Sequence, residues 1–293
     1  MPFAQLVIGP PGSGKSTYCD GMQQFMTAIN RKCSVVNLDP ANDRTSYPCA
    51  LDVRDLVTLD DIMNDEDLGP NGGVLYALEE LENNVEWLEQ GLEKLGALRL
   101  VVLHLTDSYS LTLPSLYIST LLLSLRAMLQ MDLPHINVLT KIDNLSTYAP
   151  LQFNLDYYTE VQDLNYLIPH LAAESPLLSN PKFEGLNKAI IELVEDFGLV
   201  GYETLAVEDK KSMMKLLHTI DRAGGYAFGG VEGANETVWQ VAVREGATTM
   251  DIRDVQERWL DAKDEYDEAE LKQLEEESKS RAPSSGITTV RKP

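Results

Sequence analysis

A doubly wound α/β fold built on a mostly parallel sheet is predicted by three observations. Short apolar runs of strand length alternate along the chain with helical periodicities. A glycine-rich loop joins the first of these runs to the first helix. An apolar fraction of 44% over 293 residues is enough to fill one large core and leave a tail over.

Each element follows in order. Gln5 to Ile8 is the first apolar run, and Lys15 to Asn30 is the helix after it. Cys33 to Leu38 is a second strand, closed by Asp39-Pro40. From Asn71 onward Val74, Leu78, Leu81, Val85, Leu88, Leu92 and Leu95 keep an alternating four-three spacing. That spacing predicts one long unbroken helical insertion, whose stripe packs either on the chain's own sheet or on a partner subunit. Leu98 to Leu105 is a continuous apolar strand suited to a buried parallel sheet, followed by a helix over Leu111 to Met131. Pro114, Arg126 and Gln130 mark that helix as core rather than membrane span. Ile136 to Leu139 is the next strand, Phe183 to Phe197 an amphipathic helix, Tyr202 to Val207 the last strand and Lys210 to Ala223 its helix.

Gly224, Gly225, Gly229, Gly230 and Gly233 crowd one stretch, so the compact domain is expected to span 1–226. The remainder, 227–293, reads as a linker with an edge strand over Thr237 to Arg244, a short helix marked by Ile252, Val255 and Trp259, the charged run Asp261 to Lys279, and an acidic tail whose end, Arg281 to Pro293, has the composition of disorder.

The charge balance removes some classes of function. A formal charge of -22, from 46 acidic against 24 basic side chains, repels a phosphate backbone and excludes counterion release as a driving force. Direct nucleic-acid binding is not expected. Cys19, Cys33 and Cys49 lack metal-type spacing and are odd in number, so they read as free thiols in a reducing compartment. Met1 to Ile8 has no basic n-region and runs straight into the glycine loop, so no ordinary signal peptide is expected, nor any membrane span.

Gly9-Pro10-Pro11-Gly12-Ser13-Gly14-Lys15-Ser16 fits G-x-x-x-x-G-K-[ST] between a strand and a helix, the context its mechanism requires. Its glycines let backbone N–H groups converge on phosphate oxygens, and the helix N-terminus adds partial positive charge. Lys15 is placed to reach the β and γ phosphates, and Ser16 to offer its hydroxyl to Mg²⁺, with Thr17 beside it at the helix start. The expected fold is therefore of the P-loop NTPase type, and the ligand a purine nucleoside triphosphate.

Thr140-Lys141-Ile142-Asp143 follows the strand ending at Leu139, at the carboxyl edge of the sheet where such folds bind ligands. A carboxylate at Asp143 accepts two hydrogen bonds from guanine, from N1–H and the exocyclic amine, while the Lys141 stem packs on the base. Adenine offers an acceptor there instead, and an unpaired buried carboxylate costs about 1–3 kcal/mol or more. GTP and GDP are the expected ligands.

Three motifs in order carry a family resemblance. Asn37-Leu38-Asp39-Pro40-Ala41-Asn42, Gly69-Pro70-Asn71-Gly72-Gly73 at a helix start, and Thr140 to Asp143 together resemble the GPN-loop GTPases. Leu133-Pro134-His135-Ile136-Asn137 and Asn154-Leu155-Asp156-Tyr157-Tyr158-Thr159-Glu160 look most like one eukaryotic branch of that family. The similarity runs from Phe3 to Tyr226, and weakly to Asp254-Val255-Gln256-Glu257.

The resemblance implies roles by position. Asp39 would help order Mg²⁺ or the attacking water, against the alternative of a turn cap. Gly69, Pro70 and Asn71 would form a loop reaching across a dimer interface to the partner's nucleotide, against the alternative of Asn71 as a simple N-cap. Lys15, Asp39 and Asn71 would then be the catalytic residues, with Ser16 and Asp39 on the metal. The resemblance further implies a homodimer or a heterodimer with another member, a role in RNA polymerase II assembly or nuclear import through polymerase subunits or assembly factors, and a cytoplasmic location with shuttling to the nucleus.

One departure stands beside the match. The family carries a strand ending in Asp-x-Pro-Gly-Gln between the elements that here end at Leu95 and begin at Leu98, yet this chain passes directly through Gly96-Ala97. That segment would supply a second acid for Mg²⁺ and the switch that senses the γ-phosphate. Asp221-Arg222-Ala223-Gly224 has similar letters but ends a helix, and Asp107 reads as a cap or, less simply, as a substitute acid. Two alternatives to a GTPase stay open: a hydrolysis-deficient nucleotide-binding scaffold, and a P-loop nucleotide kinase.

Overall fold

The computed structural model describes residues 3–42, 45–96, 99–175, 180–225 and 251–281, with backbone alone for 181 and 273–281. Its first half contains β1 (Ala4–Ile8), α1 (Lys15–Ala28), β2 (Val35–Asn37), β3 (Cys49–Asp52), α2 (Leu59–Asp65), α3 (Pro70–Asn83) and α4 (Val85–Leu95). Next come β4 (Leu100–Asp107), α5 (Pro114–Met131), β5 (His135–Thr140), α6 (Leu155–Glu160), α7 (Leu167–Glu174), α8 (Pro181–Phe197), β6 (Tyr202–Leu205) and α9 (Lys210–Ala223). The segment 251–281 is a short helix, Ile252–Gln256, a π-helical turn, Glu257–Asp261, and a longer helix, Lys263–Arg281.

The main sheet has the order β1-β4-β5-β6, and every pairing in it is parallel. Val101, Val102, Leu103 and Leu105 make β4 the most buried strand, as a continuous apolar run between two neighbours should be. On one face Tyr18, Met22 and Met26 of α1 and Met213, Leu216, Leu217 and Ile220 of α9 cover Val101, Leu103 and Leu105. On the other, Tyr117, Leu121 and Leu125 of α5 meet Leu139, Tyr202, Ile191 and Val194. Helices on both faces are what doubly wound implies.

Several polar groups inside this frame are paired. Arg31 grips the fully buried Asp221 through two hydrogen bonds of 2.7 Å, so Asp221 ties the turn after α1 to α9 and belongs to no metal site. Ser124 Oγ lies 2.8 Å from the Tyr202 hydroxyl and 3.2 Å from His104 Nδ1, which in turn lies 3.3 Å from Asn137 Oδ1. Cys19, Cys33 and Cys49 are free, and burial pushes the Cys19 thiol up to about 12, which makes it unreactive.

The structure corrects three expectations. The second strand does not join the main sheet; β2 pairs in parallel with β3, a strand the sequence reading did not contain. The long helical stripe is broken at Asn84, whose backbone leaves the helical region at φ −114° and ψ 33° while its side-chain amide donates to the Glu80 carbonyl at 2.8 Å. An asparagine that competes for helical carbonyls in this way ends a helix even where the apolar period runs on. Along the stripe Val74, Leu81, Leu88 and Leu92 are half-buried and Leu78, Val85 and Leu95 exposed, while α3 turns Gly73 and Ala77 inward and α4 buries no residue fully, which leaves the partner-subunit alternative open. Finally, α5 starts at Pro114 after a 3-10 turn, Ser108–Leu111, instead of at Leu111. The strand expected over Thr237 to Arg244, the glycines Gly229, Gly230 and Gly233, residue Leu98 and the end of the tail lie outside the described residues.

The nucleotide-side strand β1 is the unusual one. All five of its residues are half-buried, and its only ladder among the described residues is with β4. In a doubly wound sheet the strand that feeds the P-loop is normally interior. Here it is an edge.

Candidate functional site

The phosphate loop is shaped by three glycines. At Gly9 (φ +151°) a Cβ would lie 2.2 Å from the Leu105 carbonyl oxygen and 2.8 Å from Ser13 Oγ, so only glycine lets the loop turn against β4. Gly12 and Gly14 have φ of +78° and +86°, a left-handed region that other residues resist. Gly14 caps α1 with no side chain of its own, which leaves the first-turn N–H groups for an anion. Pro10, Pro11 and Gly12 form the exposed outer turn, and Ser16 and Thr17 are exposed at the helix start.

The cradle is shaped for a ligand. The Lys15 ammonium folds across it, donating to the carbonyls of Gly9 at 3.0 Å and Pro10 at 3.1 Å. Ser13 Oγ is buried at 1% exposure with no hydrogen-bond partner, an orphaned hydroxyl inside the loop.

Thr140 joins this loop to the base-reading motif. Its hydroxyl lies 2.8 Å from the Ser13 carbonyl and 3.1 Å from the Thr106 carbonyl, so residues 127 positions apart share one hydroxyl. Lys141 sits at φ +59° and opens a 3-10 turn, Ile142–Thr147, anchored by buried Ile142 and Leu145. Asp143, half-buried, is carried by that turn. The Lys141 ammonium is 2.7 Å from Asp107 Oδ2, while Asp107 Oδ1 accepts from the Tyr109 N–H at 2.9 Å. Asp107 is thus a turn cap and an ion-pair partner, with both oxygens engaged.

The loop after β2 approaches from the other side. Asp39 is exposed, and its carboxylate accepts from the Ala41 N–H at 3.0 Å, closing a turn. The side chain of this loop that meets Ser16 is Asn42, whose amide is 3.4 Å from the hydroxyl. Two residues that sequence reasoning missed hold the loop. Asp52 pairs with Arg54 and accepts from Asn37 Nδ2 at 3.0 Å, and Arg54 donates to the Asn42 carbonyl at 2.9 Å. Hydrogen bonds from the Arg54 side chain hold the Asp52 carboxyl far below the usual carboxylate range. Nothing in a short Asp-Val-Arg stretch marks this, because its partners come from elsewhere in the chain.

Gly69, Pro70 and Asn71 are exposed at the start of α3, with Gly69 as N-cap, Pro70 in the first turn and no side-chain cap. Asn71 is therefore not the N-cap. Among the described residues no hydrogen bond or ion pair connects these three to the phosphate loop of their own chain.

The donor set bears on Mg²⁺. No group of three His, Cys, Asp or Glu side chains among the described residues could hold a metal ion. The exposed Ser16 hydroxyl, met by the Asn42 amide, fits Mg²⁺ that arrives on phosphate oxygens and keeps its waters, and does not fit a caged ion.

Comparisons with known proteins agree on one lineage. A family model described as a conserved hypothetical ATP-binding protein matches residues 7–98 and 90–226. GPN-loop GTPase 2 of Saccharomyces cerevisiae is 48% identical, over 92% of this chain and 88% of that protein. GPN-loop GTPase 2 of Danio rerio is 43% identical, over 93% and 97%. A GTPase of Pyrococcus abyssi, solved in its apo form, superimposes with a TM-score of 0.58 at 21% identity over 77% of this chain and 98% of that one. The yeast alignment has 305 positions but uses only 92% of 293 residues, which leaves about 35 positions of the relative with no counterpart here. The two stretches of the family model meet at residues 90–98, which puts the gap between α4 and β4, beside the edge left open at β1. With its phosphate loop, its Thr-Lys-x-Asp turn and most of its length aligned to these relatives, the chain belongs to the family of GPN-loop GTPases.

Proposed function

We propose that this chain binds GTP with Mg²⁺ and hydrolyses it to GDP and phosphate. One observation carries the reading: the Thr140 hydroxyl meets the Ser13 carbonyl at 2.8 Å, so the turn that presents Asp143 and the loop that cradles phosphate share one edge of the sheet. Asp143 accepts from guanine, and the loop N–H groups hold the phosphates. Lys15 exchanges its loop carbonyls for phosphate oxygens and offsets the charge that grows on the β–γ bridging oxygen as water attacks phosphorus and that P–O bond breaks. Ser16 and Asp39 are the residues that would hold Mg²⁺, which when bound neutralises phosphate charge.

A dimer completes the reading. The Gly69-Pro70-Asn71 loop and the exposed Leu75, Leu78 and Val85 share the α3–α4 segment, and a second subunit of this family covering that segment would receive Asn71 at its own nucleotide. A role in RNA polymerase II assembly, in the cytoplasm with passage to the nucleus, extends the family reading to this chain. Calorimetric titration with GTP and ATP, with and without Mg²⁺, and a phosphate-release assay test the proposal. Equal affinity for ATP would turn the reading toward a nucleotide kinase.

A second reading has its own support. The half-buried β1 and the missing segment after α4 favour a chain that holds nucleotide without turnover, as a scaffold. Tight GTP binding with no phosphate release would select it.

A further inference from the structure

We infer that the segment 251–281 is a clamp on the base-reading turn and that Lys263 is the positioning residue for Asp143. The inference rests on the guanine reading above. Three observations carry it.

First, the Lys263 ammonium donates to the backbone carbonyl of Asp143 at 2.7 Å and to Ser146 Oγ at 3.2 Å. A charge-assisted bond to the main chain of Asp143 fixes the Cα from which its carboxylate is aimed. Second, the segment seats itself in the core that carries the turn. Val255 is buried in one cluster with Leu139, Ile142 and Leu145, and Trp259 and Leu260 pack against it. Third, its other end is fixed. Gln256 Oε1 accepts from the Leu155 N–H at 2.9 Å and so caps α6, while Arg258 stacks over the Trp259 ring at 4.2 Å and pairs with Asp267 at 2.8 Å.

The turn itself needs such support. It is a single 3-10 stretch entered through Lys141 at positive φ, with poorer hydrogen-bond geometry than an α-helix; Asp107 and Ser108 hold its first residue, Lys141, and Ile142 and Leu145 are its buried apolar anchors. Discrimination between guanine and hypoxanthine depends on one hydrogen bond from the exocyclic amine to the Asp143 carboxylate, and a displacement well under the length of that bond forfeits it. Lys263 touches no nucleotide atom in this scheme. It acts through Asp143.

The experiment compares the full chain with Lys263→Met, which keeps the aliphatic stem and removes the charge, and Lys263→Arg, which restores a donor. GDP and IDP are titrated against each, and Tm is measured without nucleotide. Lys263→Met is expected to lose about tenfold in GDP affinity and little in IDP affinity, so that the GDP-to-IDP ratio collapses, and Lys263→Arg to recover most of it. A purely structural role would lower Tm and weaken both nucleotides alike, leaving the ratio unchanged, and that result overturns the inference while the guanine reading stands. A wild-type chain that does not distinguish GDP from IDP overturns the guanine reading and the clamp with it.

Discussion

Grafting in the segment that the yeast relative carries and this chain does not is the most informative perturbation. The segment of about 35 residues that the yeast relative has and this chain has not can be grafted between Gly96 and Arg99. Its strand is expected to pair with the open edge of β1. About half of the N–H and C=O groups of Ala4–Ile8 face that edge, since a parallel strand divides its backbone groups between two neighbours. At about 1 kcal/mol net for each hydrogen bond formed, the ladder adds roughly 2–5 kcal/mol. For a domain of this size that corresponds to a rise in Tm of about 5–15 °C. If the graft carries the acid and the γ-phosphate switch that the family resemblance implies, single-turnover GTP hydrolysis should rise by about tenfold or more, or about 1.4 kcal/mol of transition-state stabilisation. Single-turnover phosphate release and thermal unfolding of the two chains measure both effects. Equal rates from two folded samples would refute the argument for the missing acid. Asp39 and Asp107 would then be the first residues to replace, although Asp107 already pairs with Lys141.

Further outcomes follow from the same geometry. Lys15→Ala and Ser16→Ala should each abolish tight, Mg²⁺-dependent GTP binding, at a cost of about 2–4 kcal/mol by calorimetry, and undiminished affinity would remove the site assignment. Asp143→Asn should relax guanine selectivity toward xanthine nucleotides, because an amide offers one acceptor where guanine presents two donors; retained rejection of xanthine would argue against that role. His135 supplies a pH test. Both its ring nitrogens are buried, and burial, with the neighbouring His104, pushes its pKa from 6.5 down to about 4 against the opposing pull of Asn137. Between those values the unfolded chain takes up a proton that the native state refuses, so stability should fall as pH drops from about 6.5 to 4, and this group should add no further slope below. His135→Phe should flatten the Tm profile in that window; an unchanged slope would show that other groups set it.

Much of the site was legible because its chemistry is local. The phosphate loop needs glycines at Gly9, Gly12 and Gly14 and a Lys15-Ser16 pair within eight positions, and the structure shows why each glycine is required. The alternation of strands and helices gave the doubly wound layering for the same reason, since period and apolar run length are properties of short windows. What escaped depends on distant partners. Cys49–Asp52 is a strand only because Val35–Asn37 lies alongside it. Asp52 and Arg54 matter through Asn37 and Asn42. Lys263 is an ordinary lysine in a charged run until the fold sets it against a carbonyl 120 positions earlier. Asn84 was hidden for a different reason: an apolar period reports which face is apolar and is silent about a side chain that withdraws one backbone carbonyl.

The pairing of β1 with β4 also sets an order on biogenesis. Ala4 finds its register partner in Leu100, so on the ribosome the P-loop strand has nothing to dock on until about a third of the chain has been made. At typical elongation of about 5–20 residues per second, that is a wait of roughly 5–20 s for an apolar five-residue strand with both edges bare. The phosphate loop closes only when Leu105 arrives to receive Gly9, so the nucleotide site matures after translation of β4, late relative to the position of its motif near the N-terminus. In that interval the nascent N-terminus is an unpaired apolar segment before it is a ligand-binding loop.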